Sequence, residues 1–307
     1  MAASSGSITC WRLNRSERRV GGVLSFGLVG TGYWADVAHA AGIAAHPQAE
    51  LVGVWGRDPA KAAALAAKHG VRAFDDLDEL IAAVDAVAFS VPPDVQAQLA
   101  LPAAEAGRAL LLEKPLALSV EAAERLVDAV HAPTVIFFTF RFDPRLAAWY
   151  REEVDGRSWD GASALYLASI FEPGNPFGQS PWRREQGGLW DVGPHALSAL
   201  LPALGKVERV VAVRGPRDEV HLALEHDSGA ASSAALSLTA PADLNEVVFW
   251  GAEGLARRPN AGEVDRIAAY GAAIDALLEG QTTFDARFGL EVVRVLAAAE
   301  AELSRGT

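Results

Sequence analysis

The sequence predicts two domains of different architecture, an α/β domain with a doubly wound parallel sheet and then an α+β domain with a mixed or antiparallel open sheet. Up to residue 140, short apolar runs alternate with helix-compatible segments, which is the pattern of βα units. After Gly161, strand-like runs follow one another with turns between them. A chain of 307 residues, half of them apolar, is long enough for two cores. We therefore divide it into an extension (1–22), a first domain (23–141) and a second domain (142–307).

Composition excludes several classes of function. The formal net charge is −12, which argues against a nucleic-acid partner, and no apolar run reaches the roughly 18 residues that a membrane span needs. The single cysteine, Cys10, allows neither an internal disulfide nor a thiolate metal cluster. Residues 1–22 are polar and lack the apolar core of a signal peptide, so we expect a disordered extension or an upstream start, and a cytoplasmic location.

The first βα unit contains a glycine pattern typical of dinucleotide-binding sites. An apolar run over 23–30 predicts a strand, and the Ala-rich segment 33–45 predicts a helix. Between them, the residues from Gly30 to Ala35 read GTGYWA, a GxGxxA turn. The first glycine permits a tight turn, the second lets the backbone approach a pyrophosphate, and a small residue at Ala35 allows close packing of helix on strand. This arrangement is the start of a Rossmann fold.

The end of the second strand bears on the choice of cofactor. Residues 50–55 predict that strand, and Gly56 stands where an NAD-binding unit usually has a carboxylate. Arg57 follows directly and suits a 2′-phosphate, so the sequence favours NADP(H), with NAD(H) as the other possibility. Asp58 is a candidate ribose ligand, but before Pro59 it is more typical of a helix N-cap.

The fifth predicted strand ends in adjacent opposite charges. The run 109–112 is continuously apolar, as in a strand buried on both faces, and Glu113, Lys114 and Pro115 follow it. Ligands of open α/β sheets bind at the carboxyl ends of the strands, so a lysine held there is a candidate for chemistry. The alternative is a solvated ion pair at a strand end. The preceding strand, 85–91, ends at Pro92 on the same predicted edge.

The second half of the chain supplies an acid/base candidate. A sixth predicted strand (134–140) ends the first domain at Arg141, and residues 187–201 predict a turn leading into a helix. This segment places Asp191 four residues before His195, which puts them on one face if both lie on one helical turn. Histidine titrates near neutral pH and suits proton transfer. Arg141, Trp182 and Arg183 are candidate substrate contacts. His221 and His226 fall on opposite faces of a predicted strand and indicate no metal site.

Four motifs in this order resemble the glucose-fructose oxidoreductase / inositol dehydrogenase (Gfo/Idh/MocA-like) family. They are the GxGxxA turn, the Glu-Lys-Pro sequence at 113–115, the Arg-Phe-Asp-Pro sequence at 141–144 and the pattern GGxxDxGxH at 187–195. The resemblance implies hydride transfer between a nicotinamide and a sugar-like or cyclic polyol substrate. It also implies a homodimer or homotetramer formed through the C-terminal sheet, and a cis peptide bond before Pro115.

The resemblance assigns roles residue by residue. Lys114 matches the family's active-site lysine, and Asp191 and His195 match its substrate-domain pair; Asp191 would orient His195 or bind a substrate hydroxyl. The residues assigned to the cofactor are Gly30, Thr31, Gly32, Tyr33, Trp34, Arg57, Pro92, Glu113 and Lys114. Gln96 and Ser198 depart from the family pattern, since many members carry histidine and aspartate there. These departures keep open a second hypothesis, a catalytically weak NAD(P)-binding regulatory protein.

Overall fold

The structure is a computed structural model that describes residues 22–260 and 262–305. The predicted extension therefore lies almost entirely outside the described residues. The strands are β1 (Leu24–Val29), β2 (Ala49–Trp55), β3 (Arg72–Phe74), β4 (Ala86–Phe89), β5 (Ala109–Leu112), β6 (Thr134–Ile136), β7 (Gly161–Ser169), β8 (Val207–Arg214), β9 (Val220–His226), β10 (Ala231–Ser237), β11 (Thr239–Gly251) and β12 (Gly254–Arg257). The helices are α1 (Ala41–Ala45), α2 (Pro59–His69), α3 (Leu77–Ala82), α4 (Pro93–Glu105), α5 (Val120–Ala129), α6 (Thr139–Phe142), α7 (Pro144–Trp149), α8 (Pro181–Asp191), α9 (Gly193–Leu204), α10 (Arg266–Glu279) and α11 (Ala286–Arg305). Two π-helical segments, Ala35–Ala40 and Tyr150–Val154, precede α1 and follow α7.

The first six strands form a parallel sheet in the order β3-β2-β1-β4-β5-β6, which confirms the predicted doubly wound domain. The chain leaves β1 toward one edge and returns at β4 on its other side, so the strand order reverses between these two strands. In such sheets the crevice outside the carboxyl ends at the reversal binds the ligand. The GxGxxA turn follows β1 and the lysine follows β5, so both lie at that edge.

The later strands form a second sheet in the order β12-β11-β7-β10-β9-β8. Its β7 and β10 pair in parallel and its other neighbours are antiparallel, so the sheet is mixed, as predicted. The alternation along β9 buries Val220, Leu222 and Leu224 and exposes the residues between them. His221 and His226 lie on opposite faces, as expected. Large apolar side chains on this sheet remain exposed, among them Val213 and Leu255 at 60% and 67%.

Two boundaries differ from the sequence prediction. The sixth strand ends at Ile136 rather than at residue 140, and Thr139–Phe142 forms a short helix. The apolar run resembles one long strand, but the last bond to β5 runs from the N–H of Phe137 to the carbonyl of Leu112. Phe138 then donates to the carbonyl of Ile136, which turns the chain into the short helix. Before the predicted turn at residue 187 there is already a helix, and Gly187 interrupts it with φ 64° and ψ −163°.

Helix α10 returns the chain to the first domain. Its Tyr270 and Ile274 are fully buried in one apolar cluster with Phe26 and Leu28 of β1. The sequence division at residue 141 assigns this helix to the second domain, and that division stays a prediction. Within the described residues, no helix is both long and apolar enough to cross a membrane.

Candidate active site

The lysine loop, residues 113–116, leaves strand β5 at the ligand-binding edge of the parallel sheet. The bond between Lys114 and Pro115 is cis, as the family resemblance implies. The Lys114 side chain is 11% exposed, so it is not the solvated surface charge of the alternative interpretation. Its ammonium Nζ donates to Oδ1 of Asp191 at 2.8 Å and to the main-chain oxygen of Asp191 at 2.7 Å. One ion pair therefore joins the two domains across the site.

The carboxylate of Asp191 bonds to two positively charged side chains, Lys114 and Arg183. Its second carboxylate oxygen, Oδ2, accepts a hydrogen bond from Nε of Arg183 at 2.8 Å. Burial raises the pKa of Asp191, but the charges of Lys114 and Arg183 outweigh burial and lower this pKa to about 2. At neutral pH the carboxylate is ionised, and its low pKa makes it a weak base. It instead fixes the position of Lys114.

His195 lies in the first turn of α9 and is buried, with 9% of its surface exposed. Its ring stacks on that of Tyr166 at a centroid distance of 6.1 Å and meets the edge of Phe140 at 5.0 Å. Neither ring nitrogen has a hydrogen-bond partner among the described residues, and Nδ1 is fully buried. The imidazole is thus held by ring packing, and Nε2 is the nitrogen left for another molecule.

The electrostatic surroundings keep His195 neutral. Burial lowers the pKa of His195 well below the usual value of 6.5, and the charge of Lys114 lowers it further, against an opposing effect of Asp191. A neutral imidazole can accept a proton at neutral pH. Asp191 bonds to Lys114 and Arg183, and no hydrogen bond joins it to His195 among the described residues, so the predicted orienting contact is not present.

The GxGxxA turn has the shape that a pyrophosphate requires. Gly30 has φ +128°, and a Cβ there would lie 2.2 Å from the carbonyl oxygen of Ser90. A Cβ on Gly32 would meet no heavy atom within 4 Å, so this side of the turn is open. Helical structure begins at Tyr33, directly after Gly32, and a helix N-terminus next to a glycine turn favours an anion. These residues fit a dinucleotide.

Glu113 connects this turn to the lysine loop. Its Oε1 accepts from the indole N–H of Trp34 at 2.7 Å and lies 2.9 Å from Nε2 of His39, whose Nδ1 is 2.9 Å from the Tyr270 hydroxyl. His39 and Tyr270 are both fully buried. Sequence reasoning missed these two residues, because no motif marks them and Tyr270 lies 231 positions after His39.

The other cofactor candidates lie along the same edge. Arg57 is exposed and has no hydrogen bond or ion pair within the described part of the chain. Asp58 caps α2 by accepting from the N–H groups of Ala60 and Lys61, which confirms its predicted structural role. Pro92 directly precedes α4, and the methyl group of Thr31 packs against Gly56. Tyr33 is 46% exposed and meets the ring of Phe177 edge-on.

The three substrate candidates are in different environments. Arg183 lies in the site through its bond to Asp191, and Trp182 packs beside it with its ring centroid 4.7 Å from the guanidinium carbon. Arg141 is buried with its guanidinium 3.4 Å above the ring of Tyr150, and its Nε and Nη1 have no hydrogen-bond partner. Contact of these residues with substrate stays a prediction. One residue not predicted is Arg258, a buried arginine that donates to the hydroxyl of Tyr166, the ring on which His195 stacks.

Comparison with known proteins gives matches along most of the chain. Residues 24–140 match the family model GFO_IDH_MocA, described as an oxidoreductase family with an NAD-binding Rossmann fold. The inositol 2-dehydrogenase of Rhizobium meliloti is 29% identical over 222 residues, which is 66% of this chain and 66% of that protein. An oxidoreductase of Synechocystis is 31% identical over 176 residues, covering 54% of this chain and 46% of that protein. The chain thus aligns with less than two thirds of the length of these relatives.

Solved structures share the whole fold. GenD2 from gentamicin A biosynthesis, in complex with NAD, superposes with a TM-score of 0.78 at 24% identity, covering 94% of this chain and 97% of that one. The WlbA dehydrogenase of Bordetella pertussis, in complex with NADH and UDP-GlcNAcA, also gives 0.78 at 24% identity, with coverages of 93% and 98%. At such identities the likeness establishes the fold. Residues 24–140 thus match the Rossmann domain of the Gfo/Idh/MocA oxidoreductase family, and the rest of the chain shares the fold of these structures.

Proposed function

We propose that this chain is an NAD(P)-dependent dehydrogenase or reductase that acts on a CH–OH group of a sugar-like or cyclic polyol substrate. The observation that carries the proposal is the arrangement of Lys114 and His195. A lysine fixed by a buried carboxylate and a neutral histidine with unpartnered nitrogens belong to one site, at the sheet edge where a dinucleotide fits. The relatives named as dehydrogenases support the proposal and do not favour a regulatory protein.

Each residue has a separate task. When bound, the nicotinamide supplies or accepts the hydride. His195 removes the hydroxyl proton during oxidation, or returns it during reduction, since it is neutral and unpartnered. The Lys114 ammonium has three N–H donors, and two of them bond to Asp191. The third N–H stabilises the negative charge that develops on the substrate oxygen. Asp191 holds the lysine in place through both contacts.

A spectrophotometric assay with the purified chain tests the proposal. NAD+ and NADP+ are each offered with a panel of inositols, aldoses and sugar acids, and NADH and NADPH with a panel of ketoses and aldoses. The absorbance of the reduced nicotinamide is followed in both cases. We expect turnover with at least one cyclic hydroxyl compound. Tight binding of NADH or NADPH without turnover of any panel member, in either direction, would contradict the proposal and favour the regulatory protein.

For the cofactor itself, we expect Arg57 to favour NADP(H). An exposed, unpartnered guanidinium directly after β2 suits a ribose 2′-phosphate, and Asp58 is occupied as a helix cap. Arg57→Ala should raise the Kd for NADPH about tenfold or more, because a charge-assisted hydrogen bond is lost, and leave the Kd for NADH nearly unchanged. Titration of cofactor fluorescence measures both constants. Lys61→Ala, an exposed charge on α2, is the matched control. Equal losses for the two cofactors would mean that Arg57 does not contact the phosphate.

A homo-oligomer through the second sheet is part of the same proposal. The exposed Val213 and Leu255 on that sheet are compatible with burial against a second copy. Its number of subunits and a cytoplasmic location both stay predictions from the sequence.

A further inference from the structure

Gln96 contacts the backbone of the lysine loop and is fully buried, with 0% of its surface exposed. It lies in the first turn of α4, after Pro92 and Pro93. Its Oε1 accepts from the N–H of Glu113 at 2.8 Å. Its Nε2 lies 2.7 Å from the carbonyl oxygen of Glu113 and 3.2 Å from those of Pro115 and Leu116. All four contacts flank Lys114 on both sides.

The loop needs such a partner because it has left the sheet. Strand β5 pairs with β4 as far as Leu111 and with β6 as far as Leu112, so no strand pairing extends beyond residue 112. Pro115 has no N–H, and the carbonyls of Pro115 and Leu116 meet the glutamine amide in buried surroundings. A buried carbonyl without a donor is costly. The amide of Gln96 supplies the hydrogen bonds to this backbone that a neighbouring strand would supply within the sheet.

The contacts also define which way the amide faces. Its oxygen meets an N–H donor, and its NH2 group meets only carbonyl acceptors. Reversing the amide would place a donor against the donor of Glu113 and an oxygen against three oxygens. The two hydrogens of the NH2 group are shared among three carbonyls, so both polar atoms of the Gln96 side chain are engaged with the loop.

We propose that Gln96 is the positioning residue for Lys114, and that it acts by fixing the loop backbone so that the ammonium reaches Asp191 and the reacting oxygen. This inference rests on the proposed function for its catalytic part. Gln96 itself touches neither Lys114 Nζ nor Asp191, so its effect passes through the backbone at residues 113–116. The residue that departs from the family pattern in the sequence thus still serves the active-site lysine.

Gln96→Glu tests the inference with an isosteric change. A carboxylate there faces three carbonyls and loses both donors, so the loop shifts and kcat should fall by about 10²-fold, as expected for a misplacement of about 1 Å. The Kd for NADPH should change much less than kcat, because Gln96 does not contact the GxGxxA turn directly and the loop reaches that turn through the Glu113 side chain. Burial raises the pKa of the new carboxyl above about 4.3, and its protonated form regains one donor. The ratio of variant to wild-type kcat should therefore rise as pH falls.

The matched control is Gln98→Glu, an exposed position on the same helix, which should leave these quantities unchanged. A second variant, Gln96→Asn, retains the amide on a shorter side chain and should lose less kcat than Gln96→Glu. Labelling gives a readout independent of turnover: mass spectrometry follows the acetylation rate of Lys114, which should rise severalfold in Gln96→Glu as the pair with Asp191 loosens.

The outcomes separate the two proposals. Wild-type kcat and wild-type labelling of Lys114 in folded Gln96→Glu and Gln96→Asn would overturn the positioning role. A lower Tm with unchanged kcat and unchanged labelling would also overturn it, because Gln96 would then contribute to stability alone. If the wild type turns over no substrate, the proposed function fails, and the labelling rates still decide whether Gln96 positions Lys114.

Discussion

Replacing Lys114 with methionine is expected to lower kcat by about 10²–10³-fold, the usual cost of removing one preorganised donor to a developing oxyanion. Methionine retains much of the apolar side chain but cannot donate to the substrate oxygen or to Asp191. The GxGxxA turn is held by Trp34, His39 and Glu113, which do not depend on the lysine ammonium. The Kd for NADPH should therefore change little. Steady-state kinetics and cofactor titration measure the two effects separately.

Lys61→Met is the matched control, because Lys61 is exposed on α2 with its Nζ 3.9 Å from Asp58. Its kcat should equal that of the wild type. Nearly wild-type turnover in a folded Lys114→Met protein would remove the lysine from the mechanism. A parallel loss of cofactor affinity would instead assign it to binding.

His195→Ala is expected to lower kcat by about 10²–10⁴-fold, the range that general acid/base catalysis contributes. Alanine removes the imidazole, which is neutral and buried and whose two nitrogens have no hydrogen-bond partner among the described residues. The control is His221→Ala, since His221 lies on the second sheet with 54% of its side chain exposed and pairs with Glu219. Equal kcat in the His195 variant and the wild type would exclude the proton-transfer role.

The same residue predicts the pH profile of the wild type. Only neutral imidazole accepts a proton, so oxidation is lost as pH falls through the pKa of His195. Burial and the charge of Lys114 hold this pKa well below 6.5. Oxidation measured as kcat/KM should therefore stay nearly constant from about pH 8 down to about pH 6.5 and decline only below that range. A decline centred at the ordinary histidine pKa would mean that His195 is solvated in the working enzyme or is not the base.

The sequence predicted an element correctly where the structure of that element depends on neighbouring residues along the chain. The apolar run before Glu113 predicted β5 with the bounds that the structure has, because a buried parallel strand requires continuous apolar side chains. The glycine turn over GTGYWA and the Asp-Pro start of α2 were also predicted correctly, since backbone angles and helix caps depend on neighbouring residues. The sixth strand was predicted too long because Phe137 and Phe138 are buried like strand residues although the chain already turns there, so the apolar run carries no local signal of the strand end.

The sequence by itself determined the parallel sheet, the turn that fits a dinucleotide and the position of Lys114 at the ligand-binding edge. Only the tertiary structure decided what the charged and polar groups do there. Asp191 faces Lys114 and Arg183 rather than His195, and Gln96 holds the loop from a separate helix. The physical reason is that a buried polar group needs a partner in space, and folding brings that partner from a distant part of the chain. Spacing along one helix could not reveal it.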